Sequence, residues 1–142
     1  MKVLVFFLLL AGVSAKKYDQ CKLAKDLKAA GMDGFNGVTL AQWVCLAKYV
    51  SDFNTNKVVV DIDGSTDFGI FQISNRWWCT DGKFKSANGC KLSCSELIKD
   101  DITKSIACAK TILKEQGPKA WVAWSNKCKA CEAASYIGGC GV

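Results

Sequence analysis

The chain has 142 residues, carries 19 Lys+Arg against 13 Asp+Glu for a net charge of +6, and contains no histidine. That length is one domain's worth. Arg76 is the sole arginine, which argues against sequence-specific nucleic-acid binding, where arginine forks read the bases. A modest lysine-based charge suits attraction to acidic surfaces such as bacterial walls, or simply a solvated surface that keeps the protein soluble.

Lys2, the apolar run Val3 to Leu10 and the small residues Val13-Ser14-Ala15 make a secretory signal peptide cleaved after Ala15. The apolar run is too short to span a bilayer. The expected organisation is a signal over 1–15 and a single domain over 16–142, secreted and without stable membrane insertion. Removing Lys2 with the signal leaves a net charge of +5, from 18 basic and 13 acidic residues.

Residues 20–30 read as an amphipathic helix with Leu23, Ala24 and Leu27 on one face and Gly31 as its stop. A second helix opens at Thr39, with Gln42 completing a capping box. Leu40, Trp43, Val44, Ala47 and Val50 follow at helical spacing. Val58-Val59-Val60 and Phe68 to Ile73 are β-branched or aromatic runs separated by Asp63-Gly64, the pattern of a β-hairpin. Residues 79–100 read as loop. Asp100-Asp101 are candidate caps for a helix containing Ile102, Ile106, Ala109 and Ile112. Gly117-Pro118 breaks it, and a last short helix starts at Trp121–Trp124. Helices at both ends around one small antiparallel sheet predict an α+β fold.

Nine cysteines follow the signal: Cys21, Cys45, Cys79, Cys90, Cys94, Cys108, Cys128, Cys131 and Cys140. In an exported chain of this size they read as a disulfide framework, with eight pairing in any of about 105 ways and one left over. A zinc site is the competing reading. It lacks histidines and a second C-x-x-C knuckle beside Cys128-x-x-Cys131. No metal and no cofactor are expected.

Several segments resemble the c-type lysozyme and α-lactalbumin superfamily: Cys21-Lys-Leu-Ala, Trp43-Val-Cys-Leu-Ala, Ser65-Thr-Asp-Phe-Gly-Ile-Phe-Gln-Ile, Trp77-Trp-Cys, Ala120-Trp-Val-Ala-Trp and Gly139-Cys-Gly-Val. The resemblance runs from Lys16 to Val142. It implies a lysozyme-like fold of helical lobe and small β lobe with a saccharide cleft between them. It also implies the pairings Cys21–Cys140, Cys45–Cys128, Cys79–Cys94 and Cys90–Cys108, leaving Cys131 as a free thiol.

The family's enzymes hydrolyse peptidoglycan with two carboxyl groups, one protonated to donate to the leaving oxygen and one ionised as nucleophile. The nucleophile position falls on Asp67. The acid position falls on Val50, which has no proton to give. Asp52 is near in sequence but about 200° around the helix axis. By the same resemblance Trp77, Trp78, Trp121, Gln72, Ser74 and the backbone at Ala120 line the cleft, where indole faces pack on sugar rings and indole N–H groups donate. Ser74 departs from the lysozymes' usual asparagine, and Val59 replaces a polar cleft residue. A calcium loop of some relatives falls on Glu96 to Ser105, but Lys99, Lys104 and Ser105 stand where carboxylates are needed.

The leading expectation is therefore a secreted, monomeric protein that binds peptidoglycan or chitin-type oligosaccharides with weak or absent muramidase activity. A Cys131-linked dimer remains open. The alternative is an active antibacterial lysozyme. A lactalbumin-like regulatory subunit is disfavoured by the missing calcium ligands and by the retention of Asp67, and a cationic membrane-active protein has only its charge in support.

Overall fold

The computed structural model describes residues 16–129 and 133–142. Helix α1 (Gln20–Ala29) and helix α2 (Leu40–Ser51) precede strands β1 (Val58–Val60), β2 (Thr66–Phe68) and β3 (Ile73–Ser74). Helices α3 (Thr103–Gln116) and α4 (Val122–Lys127) follow, with short 3-10 turns at Phe35–Gly37, Cys94–Ile98, Pro118–Ala120 and Ala134–Ile137. The strands form one antiparallel sheet in the order β1-β2-β3. This is the expected α+β arrangement.

Helix α2 runs through the centre of the molecule. Its start is the predicted capping box: Thr39 Oγ1 accepts from the Gln42 N–H (3.1 Å) and Gln42 Oε1 accepts from the Thr39 N–H (2.9 Å). Every residue from Leu40 to Ala47 is buried, so the helix is apolar nearly all round, as a core helix must be. Trp43 meets Phe71 and Trp121 edge-on, each with ring centroids 5.6 Å apart. The helix stops where Asp52 turns left-handed, at φ 50°. Ser51, fully buried beside that stop, donates to the Ile70 carbonyl (2.7 Å) and shares its proton with the Ala47 carbonyl (2.9 Å). One hydroxyl thus ties the end of α2 to the sheet and sets Val50 opposite β2.

The hairpin predicted around Asp63-Gly64 joins β1 to β2, with Val59 opposite Asp67. The apolar run Phe68 to Ile73 is not a single strand, contrary to its reading from sequence. β2 ends at Phe68, the chain turns through Gly69–Gln72, and β3 begins at Ile73. Gly69 forces the break. Its φ is +78°, and a Cβ there would lie 1.9 Å from the Leu97 carbonyl oxygen, so only glycine fits. β-Propensity reads half-buried packing and is blind to such a close approach.

Two boundaries also shift. Neither aspartate is the cap of α3: that position is Ile102, which makes no side-chain cap bond, while Asp101 accepts from the Thr103 N–H (2.9 Å) and hydroxyl (2.6 Å). Trp121 lies in extended backbone just before α4.

Four disulfides close the chain: Cys21–Cys140, Cys45–Cys128, Cys79–Cys94 and Cys90–Cys108. These are the pairings that the resemblance implies. The first two bridge separations of 119 and 83 residues, and such long closures remove the most entropy from the unfolded chain. Cys131 lies outside the described residues. Among the described residues no helix is long and apolar enough to cross a membrane.

Candidate functional site

A cleft of about 440 Å³ opens between the sheet and the helices. One wall is the hairpin and its continuation, which present Asp61, Asp63, Ser65, Asp67, Gln72 and Ser74. The other comes from the end of α2, from α3 and from the segment entering α4, which present Val50, Ile112, Gln116, Ala120 and Trp121. Arg76, Trp77 and Trp78 close one end. All eight residues singled out in the sequence for catalysis or sugar contact, Val50 and Asp67 among them, therefore face one cavity.

The two walls differ in charge. Among the described residues, every carboxyl group lining the cleft is on the hairpin side. Val50 is half-buried and packs on the core. Asp52 does not reach the cleft: it faces Lys17 (2.9 Å) and Lys48 (2.5 Å), which hold its carboxyl at about 2. The left-handed turn that ends α2 carries it out to those lysines and not toward β2.

Asp67 sits half-buried in mid-strand, opposite Val59 on one side and Ser74 on the other. Burial pushes its carboxyl up to about 7, reinforced by a hydrogen-bonding contact with the Asp61 carboxyl and by the charges of Asp61 and Asp63. Lost hydration and neighbouring negative charge both disfavour the ionised form of Asp67. Asp63 is the contrast. The hydroxyl and N–H of Ser65 and then the Arg76 guanidinium (2.7 Å) hold it at about 2. Neither Asp61 nor Asp63 was among the residues expected in the cleft from sequence. The signal for Asp61 was available in the alternation of the strand, which puts residues 59 and 61 on the same face.

The polar side chains around Asp67 are largely engaged elsewhere. Ser74 Oγ accepts from the Arg76 N–H (3.0 Å). Gln72 donates to the carbonyls of Gly69 (2.9 Å) and Lys57 (3.1 Å). Asn75, buried beneath the sheet, accepts from the Thr66 N–H (2.9 Å) and donates to Asp81 (3.0 Å). Val59 does not line the cavity.

The tryptophans separate by exposure. Trp77 is 51% exposed and offers an open ring face. Trp121 is 7% exposed, and its indole N–H donates to the Phe71 carbonyl (2.9 Å). That N–H is therefore not free for a sugar, which narrows the role that the sequence suggested for this residue. Trp78, also buried, presents an edge and packs over Gly89, where an added Cβ would come within 2.8 Å of the indole.

Lys99 pairs with Glu96 (2.7 Å) in the loop compared with a calcium site, and Ser105 is buried, its hydroxyl 3.4 Å from the Leu97 carbonyl. Among the described residues no group of three or more metal-ligating side chains converges.

The family model of the C-type lysozyme/alpha-lactalbumin family matches residues 16–140. Over the whole of both chains the protein is 50% identical to Lysozyme C of Takifugu rubripes. It is 52% identical to the milk isozyme of Lysozyme C of Bos taurus, over 95% of this chain and 93% of that one. It is also 51% identical to Lysozyme C-2 of Sus scrofa, over 97% and 95%. With four disulfides, a helical lobe, a small sheet and a cleft between them, the chain belongs to the C-type lysozyme/alpha-lactalbumin family.

Proposed function

We propose that this protein is a secreted, saccharide-binding lysozyme homologue that takes peptidoglycan or chitin-type oligosaccharides and hydrolyses them weakly or not at all. The observation that carries the reading is the one-sided distribution of acid: three carboxyl groups on the hairpin wall and Val50 on the wall facing them. Glycosidic cleavage needs a nucleophile at the anomeric carbon and a proton for the departing oxygen from a second group across the bond. Asp67 and Asp61 are in hydrogen-bonding contact on the same wall, so neither stands across the cleft from the other. Sugar contact rests on Trp77, whose exposed ring can pack on a pyranose, with Trp78 and Trp121 shaping the floor and Gln72, Ser74 and the Ala120 backbone at the sides.

Losing one general acid costs about 10²–10⁴ in rate. The test is clearance of bacterial walls beside calorimetric titration with chitooligosaccharides. Saccharide binding with clearance at least about 100-fold slower than a relative that has both carboxyls supports the reading. Clearance at the relative's rate, in a preparation free of contaminating lysozyme, overturns it in favour of an active lysozyme. That alternative draws on the roughly half-identical relatives that bear the name Lysozyme C.

Export follows from the leader read over 1–15, and the family match beginning at residue 16 supports cleavage after Ala15. N-terminal sequencing of secreted material should begin at Lys16. Cys131 is the cysteine outside the four bridges. Its labelling by a thiol reagent under native conditions is expected, and peptide mapping that finds it bridged within the chain overturns this.

A further inference from the structure

The sheet has an edge strand whose sequence is complementary to itself. Among the described residues strand β1 pairs only with β2. The bonds from the Gly69 N–H to the Lys57 carbonyl (2.7 Å) and from the Asp61 N–H to the Ser65 carbonyl (2.8 Å) fix the phase of that ladder. Lys57, Val59 and Asp61 turn their backbone groups inward to β2. Val58 and Val60, between them, turn theirs outward. Their side chains are 49% and 70% exposed, on an edge free of proline and glycine. Exposed apolar edges of this kind invite another strand unless charge or a bulge prevents it.

The charges here favour one partner. The segment reads Lys57-Val58-Val59-Val60-Asp61. Laid antiparallel on a second copy and centred on Val59, it sets Val58 opposite Val60 of the second copy, and Lys57 opposite Asp61. The outward N–H and C=O groups of Val58 and Val60 then meet those of the other copy as two hydrogen-bonded pairs. Each Lys57 ammonium faces a carboxylate, and cross-strand pairs of opposite charge stabilise a sheet. A shift of one residue along the strand loses both the hydrogen-bond phase and the charge match. Lys57 is half-buried, with its ammonium 3.3 Å from the Val50 carbonyl, and Asp61 is exposed, so both ends lie at the surface.

We propose that β1 is a self-association edge, through which two copies of this chain pair antiparallel about Val59 into a continuous six-stranded sheet. The contact is small, so the dimer belongs to the weak class of interfaces, those under about 1,200 Å². It is independent of Cys131.

The test uses residues 16–142 with Cys131→Ser, which removes any covalent dimer, in sedimentation equilibrium from roughly 20 μM to 2 mM, a span that covers weak association. A reversible dimer is expected, with amide hydrogen exchange at Val58 and Val60 slowing as concentration rises while that of Val59, already bonded to β2, does not. Val60→Pro removes an outward donor without touching the β1–β2 ladder and should leave a folded monomer. Lys57→Asp should weaken association by about tenfold or more through the loss of two opposite-charge pairs. Lys57→Asp with Asp61→Lys keeps the segment self-complementary and should restore it. A chain still monomeric at the highest concentration, a dimer indifferent to Val60→Pro, or slowed exchange elsewhere than at Val58 and Val60 would each overturn the proposal.

Discussion

The two walls of the cleft solve different problems. The hairpin wall concentrates acid: Asp61, Asp63 and Asp67 face the cavity from a stretch of seven residues, 61–67. The helical wall is built like a core, with Val50, Ile112, Ala120 and Trp121 packed on the apolar cluster behind them. A valine on that wall satisfies packing and leaves no buried polar group to stabilise. Under the proposed function the cost falls on chemistry, because a glycosidic bond held between the walls would meet carboxyl groups from one side only. The comparison also shows that proximity of two carboxyls is not enough. Asp61 and Asp67 are in contact but stand on one wall, whereas two acids across a bond can be given different environments and so different protonation states.

The largest expected effect comes from putting acid on the bare wall. Val50→Glu should raise wall hydrolysis by about 10²-fold or more, since its apolar neighbours keep the new carboxyl protonated as a donor. Adding Asp67→Asn should abolish the gain. A folded, saccharide-binding Val50→Glu protein as inactive as its parent would mean that the cleft has lost more than its acid.

The second effect concerns the ionisation of Asp67. With Asp67 near 7, only about one molecule in thirty carries it ionised at pH 5.5. Val50→Glu with Asp61→Asn should therefore exceed Val50→Glu alone at that pH severalfold, with the difference vanishing above about pH 8. In the parent background Asp61→Asn should lower the Asp67 midpoint, read by carboxyl NMR, without returning it to the ordinary range, because burial is the larger cause. A full return would show that Asp61, not burial, sets it.

Stability gives a third comparison. Val50→Glu should cost about 1–3 kcal/mol in urea unfolding, the penalty of burying a polar group without partners. The Asp67 carboxyl, raised in the folded state, binds its proton more tightly there than in the unfolded chain. Its contribution is fully present below about pH 4 and is lost as pH rises through about 7. Asp63, held at about 2, acts oppositely: its contribution is present above about pH 4 and is lost as pH falls through about 2. Asp61→Asn should flatten the decline between pH 4 and 7 and leave the acid limb unchanged. The smallest expected effect is that of calcium. Lys99 bound to Glu96 leaves the loop a cation where a ligand would be needed, so millimolar calcium should not shift the melting temperature relative to an EDTA control. A rise of several degrees would contradict this.

Local signals determined much of this molecule. The Thr39–Gln42 capping box, the helical spacing from Leu40 to Val50 and the run Val58–Val60 are properties of a few neighbouring residues, and those elements formed where their patterns lie. The aligned motifs placed Val50 and Asp67 in one cleft, because a family's residue order carries its geometry. Contacts between distant segments decided the rest. Gly69 splits an apolar run because the Leu97 carbonyl, remote in sequence, occupies the space beside it. The Trp121 N–H is committed to Phe71 across fifty residues. Asp52 misses the cleft because the left-handed turn that ends α2 carries it toward Lys17 and Lys48. The Asp67 carboxyl rises because folding buries it beside Asp61. Protonation depends on the field of every nearby charge and on lost water, and only the folded chain brings those together.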